Sequence, residues 1–96
     1  MKMFTIFGDT HRVYFQNLDW KPLSEEFQNV VSELRKNGCS IGPKKEVCTA
    51  DVYTCLALPE RLEFLLIYDD TDDGTCIYFE DDRVFERLKT IFEYIE

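Results

Sequence analysis

The chain holds a single histidine among its 96 residues. His11 would therefore have to serve any Ser-His-Asp or Cys-His arrangement. The patterns G-x-S-x-G, G-x-x-x-x-G-K-[ST] and G-x-G-x-x-G are all missing, so no nucleophile elbow, P-loop or dinucleotide-binding turn is written here. No run approaches the ~18 apolar residues of a membrane-spanning helix. The opening residues MKMFTIFGDTH carry one lysine and no small-residue cleavage site, and so do not read as a signal peptide. These absences imply a cytoplasmic protein with no membrane contact. Cys39, Cys48, Cys55 and Cys76 contain no C-x-x-C pair, which excludes a zinc knuckle and a thioredoxin motif. In a reducing compartment they are expected to be free thiols acting as small buried hydrophobes.

Basic residues are scarce in one region only. Residues 1–59 carry seven acids and seven bases, whereas residues 60–96 carry twelve acids and four bases, so the last third holds the whole net charge of -8. That sign excludes direct nucleic-acid binding, which is dominated by phosphate contacts. It favours a basic protein partner, steered by long-range attraction that salt would weaken. Apolar residues make up 45% and aromatics 15% of the chain, enough to fold one modest core, so residues 1–96 are expected to form a single domain.

Pattern suggests the elements. KMFTIF and RVYFQN read as a hairpin of two strands, with Gly8-Asp9-Thr10 at the turn. In DWKPLSEEFQNVVSELRKNG, Phe27, Val30, Val31 and Leu34 lie on one helical face. Pro22 suits the first turn, and Arg35, Lys36 and Gly38 mark the stop. CSIGPKK reads as a loop. EVCTADVYTCLAL favours a strand on its β-branched residues, and RLEFLLIY reads as a central strand buried on both faces. TCIYFE is its hairpin partner. The final stretch DDRVFERLKTIFEYIE puts Val84, Phe85, Leu88, Ile91, Phe92 and Ile95 on one helical face, with Asp81 or Asp82 as the N-cap. The expectation is an α+β, two-layer domain: a largely antiparallel sheet with two amphipathic helices, in the order ββαβββα.

Two stretches resemble metal motifs. FGDTH resembles the opening Asp-x-His of calcineurin-like metallophosphoesterases at Asp9 and His11. The later Asp, Asn and His ligands of that family are missing, which leaves a hairpin turn. DDTDDGTCIYFEDD, residues 69–82, has seven acids in fourteen residues. It resembles an EF-hand loop, with Asp69, Thr71, Asp73, Gly74 and Glu80 at positions 1, 3, 5, 6 and 12. A calcium or other cation-binding module is therefore an alternative reading. The apolar run Ile77-Tyr78-Phe79 and the strand-like flanks instead favour a hairpin, for which Asp-Gly is a preferred turn.

A hairpin turn does not require that many aspartates, and crowded like charges cost stability. The surplus points to an anionic docking surface made of Asp69, Asp70, Asp72, Asp73, Tyr78, Glu80, Asp81 and Asp82, with tyrosine as an aromatic anchor. In size, charge and general form the chain resembles the immunity proteins and antitoxins that neutralise bacterial toxins. That resemblance implies a non-enzymatic protein without metal or cofactor, whose partner is a basic, nuclease-like toxin. A small cofactor-free enzyme using His11 or a cysteine is the remaining alternative.

Overall fold

Phe27, Val30, Val31 and Leu34 are all buried along α1 (Leu23–Lys36), as their helical spacing predicts. Each such side chain contributes about 1.5–3 kcal/mol when taken out of water. Pro22 stands just before the helix, where its missing N–H costs nothing, and its carbonyl accepts from the N–H groups of Glu25 and Glu26 at 3.0 and 3.1 Å. The second helix, α2 (Asp82–Lys89), buries Val84 and Leu88. The computed structural model describes residues 1–69 and 74–95.

Seven strands form one sheet: β1 (Lys2–Phe4), β2 (Arg12–Phe15), β3 (Cys39–Val47), β4 (Ala50–Ala57), β5 (Leu62–Asp69), β6 (Gly74–Tyr78) and β7 (Glu93–Ile95). Their order across the sheet is β3-β4-β5-β6-β2-β1-β7. Every neighbouring pair is antiparallel except β1 with β7, which is parallel. The fold is thus α+β in two layers, with a largely antiparallel sheet.

Two elements depart from the expected order. The stretch read as a loop is most of β3, an edge strand. Its register slips between Ile41 and Lys44, so Gly42 and Pro43 occupy a bulge. Proline is tolerated there because an edge bulge asks for no ladder N–H. Gly42 is required by contact, since a Cβ there would run into the Thr54 carbonyl oxygen. The other departure is at the chain's end. α2 stops at Lys89, where the Thr90 hydroxyl donates to the Arg87 carbonyl at 2.6 Å. Ile91, Phe92 and Ile95 therefore do not continue the helix. Phe92 packs edge-on against Phe15 at 4.9 Å, and residues 93–95 pair with β1.

Both helices cover the same face of the sheet. Phe27 of α1 lies against the rings of Tyr53 and Tyr68, 5.4 and 4.8 Å away. Phe85 of α2 stacks on Phe79 and meets Tyr94 edge-on. Arg87 ties the two helices, donating to the carbonyl of Asn37 at 2.8 Å. The core cluster lies between the helices and this face, with Leu62, Phe64 and Leu66 of β5 and Met3, Val13 and Ile77 from neighbouring strands; Cys76 is buried on the other face. Among the described residues nothing covers the other face.

Candidate functional site

The ladder between β5 and β6 decides where the acidic residues go. Asp69 pairs with Gly74 at one end of β6, and Leu65 pairs with Tyr78 at the other. Four steps along the strand lead from Gly74 to Tyr78, about 13 Å at ~3.3 Å per step. Glu80, Asp81 and Asp82 lie beyond Tyr78. Among the described residues of the proposed surface, Asp69 therefore lies at one end of β6 and Tyr78, Glu80, Asp81 and Asp82 at the other. Asp70, Asp72 and Asp73 lie outside the described residues. The same geometry removes the EF-hand reading of the segment, because positions 1 and 12 must meet at one ion and the flanks must be helices. Here the flanks are strands, and Glu80 is far from Asp69. Among the described residues no group of three potential ligands is arranged to hold a metal ion.

At the Asp69 end the positive φ of Gly74, +68°, turns the chain into β6. A Cβ on Gly74 would come within 3.0 Å of the Glu26 carboxylate and 3.1 Å of Leu23, so a side chain fails there on both counts. Glu26 itself is 5% exposed, and its Oε1 accepts from the Thr75 N–H at 3.2 Å. This buried bond pins α1 to the start of β6. Burial pushes the Glu26 carboxyl above the ordinary carboxylate range, while the Thr75 N–H and Asn17 pull it back. Position 26 lies four residues before Val30, on the apolar face of the helix. That spacing was the available sign that Glu26 is buried rather than only a partner for the helix dipole.

At the other end, Asp81 is the N-cap of α2. Its Oδ1 accepts from the Arg83 N–H at 2.9 Å, and the Arg83 guanidinium reaches Oδ2 at 2.7 Å. Hydrogen bonding to Arg83 holds the Asp81 carboxyl below its usual range. Asp81 is thus a helix cap already matched by a cation. Asp82 occupies the first turn beside it and is exposed. Glu80 and Glu63 differ from Asp81: both are exposed, and among the described residues neither has an ion-pair partner. They flank a cavity of about 410 Å³ with Tyr78, Leu65 and Asp81. Tyr78 donates its hydroxyl to Glu80 Oε1 at 3.2 Å, and Arg12 lies 5.6 Å over its ring. The Glu80 charge raises the Tyr78 phenol above its ordinary value.

His11 sits beside this end. Asp9 Oδ1 accepts from the His11 N–H at 3.1 Å, a side-chain turn that accounts for the Asp-x-His spacing without a metal. The His11 ring contacts the Phe79 carbonyl through Nδ1 at 3.1 Å. None of the four cysteines forms a disulfide, and Cys39, Cys55 and Cys76 are buried as expected, but Cys48 is exposed in the β3–β4 turn. Burial pushes the Cys55 thiol up to about 11, which keeps it protonated and unreactive. Two large side chains without a role in the sequence reading are also bare: Phe7 and the lone tryptophan, Trp20, at 105% and 92% exposure. No protein-family model, curated protein or solved structure matches the chain.

Proposed function

We propose that the chain is a non-enzymatic binding protein of the immunity-protein or antitoxin kind, which neutralises a basic, nuclease-like toxin by docking carboxylates into its phosphate-binding cleft. One observation supports the reading most. Glu63 and Glu80 stand exposed and without cation partners around a cavity that also presents the Tyr78 ring. An aromatic surface ringed by unneutralised carboxylates complements a cationic cleft, and attraction of this kind accelerates encounter. Asp69 supplies a further carboxylate at the far end of β6, so a partner would be gripped at two separated points. The protein would work in the cytoplasm, where such a toxin would do its harm.

The test is to capture a partner from native lysate, or from the neighbouring reading frame, and follow association as ionic strength rises. Changing Glu63 and Glu80 to Gln should slow association and flatten its salt dependence, with the fold unchanged by circular dichroism. Changing Asp69, Asp70, Asp72 and Asp73 to Asn should do the same through the other group. A partner that associates at the same rate with both sets, at every salt concentration, would remove the proposal.

A further inference from the structure

The uncovered face of the sheet is apolar across nearly its whole width. The strand registers align Val52, Ile67, Cys76, Tyr14, Phe4 and Ile95 into one row crossing six strands. Lys45 of β3 closes the row at one edge. Phe4 and Tyr14 stack within it at 5.9 Å. The next row holds Thr54, Leu65, Tyr78 and Arg12. Cys76 is buried within the row and the other five are half-buried, so a continuous apolar stripe still reaches water, and a stripe of this length marks an interface.

The charges on the face select the occupant. β6 is the middle strand of seven. On one side of it, β3 presents Lys45 and β5 presents Glu63; on the other, β2 presents Arg12 and β7 presents Glu93. Reversing the strand order about β6 lays β3 over β7 and β5 over β2. Lys45 then faces Glu93, and Glu63 faces Arg12, each within reach of a long side chain. The face is therefore complementary to itself. Seven strands ~4.8 Å apart and ~17 Å long offer on the order of 500 Å² of flat face per copy. The pair would bury about 1,000 Å², the lower bound for a specific interface.

We propose that this face is the interface of a homodimer in which two sheets pack face to face about a two-fold axis running along β6. Each contact then occurs twice, as a two-fold interface requires. Glu80 and Asp69 lie at the ends of β6, at the rim of this interface. The inference does not depend on a basic partner, which would compete with the second copy for Glu63 and Tyr78. The two readings also respond to salt in opposite directions. Binding to a basic protein weakens as salt rises, whereas two copies each carrying -8 repel less when screened.

Sedimentation equilibrium at low and high salt tests it. The expected result is a species of twice the 11.4 kDa chain mass, whose dissociation constant falls as salt is added. Ile67→Lys should leave only monomer with an unchanged circular dichroism spectrum. Arg12→Glu, at an exposed site, should weaken the dimer about tenfold or more, because it sets like charges against each other at both copies of the contact. Adding Glu63→Arg to that variant should restore it. A wild-type chain that stays at 11.4 kDa at high concentration and high salt would overturn the proposal. So would a dimer that Arg12→Glu leaves untouched, and that outcome remains readable even if Ile67→Lys fails to fold.

Discussion

The two faces of β5 have almost the same composition and quite different surroundings. Leu62, Phe64 and Leu66 point at the helices and are at most 7% exposed. Leu65 and Ile67 point the other way and are only half-buried, with Glu63 exposed beside them. An unbroken apolar strand is usually one buried on both faces. Here the described residues cover one face only, and the second apolar face is the one we propose a second copy covers.

The largest expected effect separates the faces directly. Phe64→Ala should cost about 3–5 kcal/mol, since it opens a cavity in a core that cannot collapse around it. Ile67→Ala, measured by urea unfolding at low protein concentration, should cost about 1 kcal/mol or less, because the side chain is only partly buried. Equal losses would mean that the second face is also covered.

Smaller effects come from carboxylates on the covered side and at its rim. Glu26→Ala should cost about 1–3 kcal/mol by leaving the buried Thr75 N–H without an acceptor. The pH dependence carries a definite sign. The folded-state pKa of Glu26 is raised, so the folded protein holds a proton that the unfolded chain has already lost. The stability from this group is complete at acid pH and falls as pH rises through the raised value. Glu26→Gln keeps an oxygen for Thr75 and removes the ionisation, so its melting temperature should vary less than wild type as pH rises above the ordinary carboxylate range. Asp81 has the opposite sign. Its pKa is lowered, so its contribution is present at neutral pH and is lost as pH falls through the depressed value. Asp81→Ala should therefore lower the melting temperature at neutral pH, and that difference should shrink in acid.

Those elements whose burial follows one period were legible in the sequence: α1, the first hairpin, the β5–β6 pairing and the start of α2. What escaped was decided by partners far along the chain. Ile91, Phe92 and Ile95 continue the helical spacing of Val84 and Leu88 perfectly well. They leave the helix because β1 offers an open edge to residues 93–95, which no local pattern records. Gly42 and Pro43 argue for a loop until β4 is seen to tolerate a bulge at the sheet edge. The site was legible as a charge surplus but not as a shape. Fourteen consecutive residues look like one acidic patch, yet a strand runs through them and sends Asp69 to one end and Glu80, Asp81 and Asp82 to the other. The self-complementary face was out of reach, because it is written in the registers of seven strands and not in any one of them.

The finest distinction between the two sides is why their titrating groups are shifted. Glu26, on the covered side, is raised chiefly by loss of water. Tyr78, on the uncovered side, is raised chiefly by the charge of Glu80 and partly offset by Arg12. Mobile ions screen a charge–charge interaction at an exposed site but cannot replace the water excluded from a buried one. Titrating wild type and Glu80→Gln by phenolate absorbance should show the Tyr78 phenol moving back toward its ordinary value in the variant. High salt should move the wild-type phenol the same way. The Glu26 titration, followed by carbon NMR of its carboxyl, should keep its raised value at both ionic strengths. A Tyr78 shift that survives both the variant and the salt would mean that the ring is buried, and that its side of the sheet is covered after all.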